Sequence, residues 1–203
     1  MLYDTDAGKL RKYVNGRMKM NKNLKVMIAT AMGIALFVVL SWALQVPVFE
    51  NYYLCLGYVA MAVFCYSFGT VSGTIVGVFG VVLYCLLISG LRGMPGWALG
   101  NVAIGFGLGL TFELTKNMKN RVGKYMIWVS AVIFSTAIGI LGLKSLVDSV
   151  IKSQPFLARV VMNLYAFVAD VVVLIVALPI CELLDKPAKK LLGEKETKKN
   201  EQK

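Results

Sequence analysis

The chain contains no histidine among its 203 residues. That removes the commonest general base and the commonest metal ligand together. Cysteine is almost as scarce. Cys55, Cys65, Cys85 and Cys181 are scattered through apolar sequence with no CxxC spacing, so they read as small buried hydrophobes rather than a redox or zinc site. Charge is thin as well, at 16% of residues, where a soluble domain carries about a quarter. No GxxxxGK[ST] loop, HExxH, GxSxG or pair of intramembrane aspartates occurs. ATP hydrolysis by the phosphate-loop route and the familiar hydrolase chemistries are therefore excluded, and the chain reads as non-enzymatic, with no cofactor and no metal.

In place of charge there is apolar sequence, 58% of the chain. From Tyr52 to Phe112 the only formal charge is Arg92. A water-soluble domain does not extend apolar sequence that far, whereas a bilayer-embedded bundle must, because its outward faces are apolar too. Six segments are long and apolar enough to read as spans: Leu24–Leu44, Tyr53–Phe68, Val71–Ser89, Gly96–Glu113, Tyr125–Leu146 and Phe156–Leu184. The second is short for a hydrocarbon core about 30 Å thick and the last is generous. The fold class expected is all-α integral membrane, a six-helix domain over 24–184. A polar N-terminal arm, 1–23, precedes it and a basic tail, 185–203, follows it. The arm reads either as an amphipathic lead-in on anionic lipid or as disordered chain, and the tail after Ala188 as a frayed or disordered end. No cleavable signal peptide is expected, since the first apolar segment is too long for one.

The net charge of +11 is placed as a topology signal. Lys and Arg cluster in the arm (seven up to Lys25), in the fourth-to-fifth loop (Lys116, Lys119, Arg121, Lys124) and in the tail (seven from Lys186). With an even number of spans all three fall on one side, 18 residues against four, which places both termini in the cytoplasm. No aromatic-basic motif accompanies the charge, so nucleic acid is not an expected partner.

Polar residues inside the spans are few and costly. Asp170 lies in the last span, with Asn163 seven and Arg159 eleven residues earlier on the same helical face. Asn101 lies one turn from Trp97 in the fourth span. These residues either line a pocket open to the outside or, for the two asparagines, tie helices together. Asp170 reads as functional or as half of a buried ion pair. Two connections, Gln45–Tyr53 and Arg92–Trp97, carry aromatic rings that serve as interfacial anchors or cover a small ligand, with Tyr53 and Arg92 as candidates. Gly69, Gly73, Gly77 and Gly80, and then Gly100, Gly105, Gly107 and Gly109, read as close-packing helix faces. Ala31 and Ala35 form a further small pair, facing either a partner or the chain's own core.

The order Tyr58-Val-Ala-Met-Ala-Val-Phe, Phe68-Gly-Thr-Val-Ser-Gly-Thr-Ile-Val-Gly-Val-Phe-Gly80 and Trp97-Ala-Leu-Gly-Asn101 resembles the substrate-binding S components of energy-coupling-factor (ECF) vitamin transporters. Leu146-Val-Asp148 and the run from Asp170 resemble them too. The likeness covers roughly residues 24–184. It implies a subunit of the bacterial plasma membrane that captures a vitamin-like micronutrient from outside. It further implies docking on a transmembrane coupling subunit driven by two cytoplasmic ATPases, with Ala31 and Ala35 as the docking face. Trp97, Asn101, Asn163 and Asp170 fall where the family places its ligand. Related chains often carry a His after the glycine matching Gly80 and a Lys-Asp pair a few residues on, where this chain has Val81 and Tyr84-Cys85. Two other classes fit the composition: a membrane scaffold without a ligand, and a proton-coupled carrier relying on Asp170.

Overall fold

The computed structural model describes residues 22–43, 46–49 and 52–192. The expected N-terminal arm lies outside the described residues apart from its last two positions, as does the tail beyond Leu192. Seven α-helices account for most of what is described: α1 (Lys22–Ala43), α2 (Gly57–Phe68), α3 (Thr70–Tyr84), α4 (Met94–Thr115), α5 (Arg121–Thr136), α6 (Ser145–Lys152) and α7 (Phe156–Leu192). An eight-residue π-helical segment, Ala137–Lys144, joins α5 to α6 without a break, so the two form one 32-residue apolar rod. A π-helical turn, Cys85–Ser89, ends α3.

Five helical rods are long and apolar enough to cross a membrane; α2, at 12 residues, is not. At 1.5 Å per residue α2 spans only about 18 Å of a core about 30 Å thick. It can be that short because it is wrapped by neighbours: Tyr58, Met61 and Ala62 are fully buried, and α2 packs on α1, α3, α4 and α7. The connection expected over Gln45–Tyr53, together with Leu54 of the expected span, forms an antiparallel hairpin, β1 (Val46–Phe49) with β2 (Tyr52–Leu54), pairing Val46 with Leu54 and Pro47 with Tyr53. Towards the other end of the chain the first four residues of the segment expected to be frayed are helical, since α7 continues to Leu192.

Side-chain contacts give the direction of every pass. Gly57 meets Phe37 and Gly33 meets Phe64, so α1 and α2 run antiparallel. Gly73 meets Cys65, and Gly105 meets Thr74, which continues the alternation through α3 and α4. Trp128 donates to Thr115 and Lys124 pairs with Glu182, which carries it through α5 to α7. Lys22 and Leu192 therefore lie at the same end of the bundle. The hairpin, the short turn Leu91–Gly93 and the α6–α7 connection lie at the opposite end. Large apolar side chains such as Val71, Phe134 and Leu157 point outward, as a lipid-facing surface requires.

The glycines divide by neighbour. Gly69 is not part of the α3 stripe; its φ of 95° makes the turn between α2 and α3. Gly73 and Gly77 face α2, Gly80 faces Phe37 of α1, and Gly105 and Gly109 receive Thr74 and Thr70 of α3. Gly100 of α4 and Gly139 in the π segment meet backbone to backbone. There a Cβ on either residue would meet the other's carbonyl oxygen within 2.8 Å.

Candidate functional site

At the hairpin end the helices part around a cavity of about 180 Å³. Its wall takes residues from most of the bundle: Ser41 of α1, Leu54 of β2 and Cys55 just after it, Tyr84 and Ser89, Trp97 of α4, Ile140 and Lys144 of the π segment, and Ala166 and Asp170 of α7. Both π-helical stretches contribute, Ser89 from one, Ile140 and Lys144 from the other. A π turn inserts an extra residue and re-aims the side chains near it, a feature that recurs at functional sites.

The wall has an aromatic side and a charged side. Tyr84 and Trp97 meet edge to face, centroids 5.8 Å apart. Trp97 is held from behind: its Nε1 donates to the Tyr58 hydroxyl at 2.9 Å, that hydroxyl donates to Asn101 Oδ1 at 2.9 Å, and Asn101 Nδ2 donates to the Gly77 carbonyl at 2.9 Å. Lys144 forms the charged side with Asp170, on whose carboxylate its charge acts. Lys144 Nζ also donates to Asn163 Oδ1 and lies 3.6 Å from Asp148 Oδ2. Asn163 Nδ2 in turn donates to Ser145 Oγ at 2.9 Å. Lys144 thus interacts with the exposed Lys152 and with three buried ionisable groups, Asp148, Arg159 and Asp170. Burying them together offsets charges that would each be costly alone in a bilayer.

Of the residues expected at a site, Trp97 and Asp170 line the cavity. Asn101 and Asn163 do not. Both are fully buried one layer behind it, Asn101 bonded to Tyr58 and Asn163 to Lys144. Tyr53 sits on β2 and Arg92 in the turn Leu91–Gly93, with both side chains outside the described residues. Ala31 and Ala35 lie elsewhere, exposed on α1, where Ala31 joins Val26, Ile34, Val71 and Ile75 in lining a shallow apolar groove between α1 and α3. The sequence reading missed Lys144, counted there only as a topology charge, and Tyr84, noted only as a departure from the family pattern. For Lys144 the available signal was Asp148 at i+4, the spacing of a helical ion pair.

Residues 21–186 match the family model described as ECF-type riboflavin transporter, S component. The chain belongs to this family. Among curated proteins this S component is 33% identical over 99 residues to a UPF0397 protein of Lactococcus lactis subsp. cremoris strain SK11, an alignment covering 47% of the chain and 51% of the relative. It is 35% identical over 88 residues to the UPF0397 protein YdcD of Lactococcus lactis subsp. lactis strain IL1403, covering 42% and 47% respectively. The chain spans about half the length of the curated relatives it matches. No solved structure gives a significant match. Membership makes the S component a non-enzymatic, multi-pass membrane subunit of a transporter, in keeping with its apolar helices.

Proposed function

We propose that this S component captures a vitamin-class heteroaromatic molecule, with riboflavin as the first candidate, and hands it to an ATP-driven ECF module. The observation that carries the reading is the cavity at the hairpin end, with Trp97 and Tyr84 on one side and the Lys144–Asp170 pair on the other. The rings supply a stacking surface for a planar guest, and the Lys144 ammonium and Asp170 carboxyl supply a donor and an acceptor to fix its edge. The candidate ligand comes from the description of the matching family. The 18-to-4 distribution of Lys and Arg supports putting the Lys22 and Leu192 ends in the cytoplasm, which turns the cavity outward. At about 180 Å³ the cavity is smaller than the roughly 300–1,000 Å³ of drug-sized pockets, so a flavin enters only as the hairpin moves outward.

Docking is assigned to the exposed α1 face carrying Ala31 and Ala35, against a transmembrane coupling subunit bound to two ATPases. Small residues there allow close approach without interlocking side chains. The test is calorimetry of the purified S component against a panel of vitamins and their precursors, with riboflavin also followed by quenching of its own fluorescence. Binding of one panel member with the others silent is the expected result. No binding by any of them refutes the proposal. For the docking half, Ala31→Leu with Ala35→Leu should leave ligand affinity intact while abolishing co-purification with the coupling module and ATP-dependent uptake. Loss of ligand binding in that variant would overturn the assignment of the face.

A further inference from the structure

We infer that Tyr58 and Asn101 are positioning residues that act on the ligand through Trp97, forming a hydrogen-bond relay that fixes the indole in the cavity wall. The inference rests on the reading of the cavity as the ligand site. Neither Tyr58 nor Asn101 lines that cavity, and both are fully buried.

The direction of the relay follows from the inventory of donors and acceptors. The Gly77 carbonyl can only accept, so the Asn101 amide must present Nδ2 to it and turn Oδ1 towards Tyr58. Oδ1 can only accept, and the Tyr58 hydroxyl donates to it at 2.9 Å, with the Asp170 carboxylate a further acceptor beside the same hydroxyl. The Tyr58 oxygen then keeps its lone pairs for the one N–H that indole owns. The relay runs from the α3 backbone through α4 and α2 to Trp97. A flipped amide or a swung indole would leave a buried donor or acceptor unmet, and that asymmetry makes such a chain rigid. Tyr84 restrains the same ring at its edge, with planes 82° apart. The indole therefore meets a guest already oriented, and none of the binding energy goes into ordering it.

The experiment is a double-mutant cycle on riboflavin affinity, pairing Tyr58→Phe with Trp97→Phe. Tyr58→Phe keeps the ring in the core and removes only the hydroxyl. In the parent it should weaken binding about tenfold, the scale of one buried hydrogen bond. In the Trp97→Phe background, which has no N–H to hold, it should change affinity by less than about twofold. An equal loss in both backgrounds means that Tyr58 contacts the ligand or supports the pocket generally, and overturns the inference, as does no loss in the parent. A ligand-free readout separates this from failure of the functional proposal. Tyr58→Phe should alter the indole region of the near-ultraviolet circular dichroism only when Trp97 is present. If riboflavin does not bind, that spectrum still decides: a change that persists without Trp97, or none with it, refutes the relay. Asn101→Leu, which removes the amide acceptor of Tyr58, is the second variant should Tyr58→Phe not fold, and it should show the same dependence on Trp97.

Discussion

Replacing Lys144 by Met tests the charged side of the cavity most directly. Lys144 Nζ lies 3.6 Å from Asp148 Oδ2, with the two side chains 13% and 3% exposed. Among the described residues Asp148 has no other ion-pair partner, and its second oxygen, Oδ1, is buried without a hydrogen bond. Met fills a similar volume but leaves Asp148 as an uncompensated buried charge and strips Asn163 Oδ1 of its donor. Removing one member of a buried pair costs about 3–5 kcal/mol. For a chain of this size each kcal/mol moves Tm by about 2–4 °C, so thermal unfolding in detergent should shift down by roughly 6–20 °C. The double variant Lys144→Met with Asp148→Asn removes both charges and should recover most of that shift, because the cost lies in the stranded carboxylate more than in the lost attraction. Riboflavin titration of the double variant should show weakened binding despite the restored stability, since Lys144 lines the cavity. Two results would refute this reasoning: a single variant melting within about 2 °C of the parent, or a double variant no more stable than the single.

Other consequences are checked by the same melts. Gly139→Leu pushes a side chain against the Gly100 carbonyl and Ile104 and should destabilise by about 3 kcal/mol or more, whereas Gly93→Ala, with nothing within 4 Å, should stay within about 0.5 kcal/mol. Glu113 Oε1 accepts from both the amide and the hydroxyl of Thr70 at the start of α3, so Glu113→Ala should cost about 1 kcal/mol and Glu113→Gln much less. Lys124 stands 4.3 Å from the centre of the Trp128 ring and 3.0 Å from Glu182 Oε1, and Lys124→Met should cost about 1–2 kcal/mol, measured as the drop in melting temperature.

Much of the membrane architecture was legible because hydropathy is a local, one-dimensional property. Apolar length alone marked five of the helical rods to within a few residues at most ends, and the even number of passes put Lys22 and Leu192 at one end. The motif order from Tyr58 to Asn101 carried the family. The hairpin was not legible: Val46–Phe49 and Tyr52–Leu54 are short runs, and only pairing across the turn makes strands of what reads as a connecting loop. The far end of α7, to Leu192, was hidden because a basic segment beside Pro187 reads as irregular.

The sequence by itself determined which residues share a helical face; the tertiary structure decided which of them reach the cavity. Trp97 and Asn101 are one turn apart on α4, yet the Tyr58 hydroxyl stands between them, leaving Trp97 in the wall and Asn101 behind it. Asp170 and Asn163 share a face of α7 in the same way, and Lys144 covers Asn163 while leaving Asp170 exposed to the cavity. Lys144 lies at the end of a π-helical segment whose added residue no 3.6-residue periodicity reveals. Periodicity fixes a direction around one helix axis. What stands in that direction depends on side chains from other helices, and those are brought there only by folding.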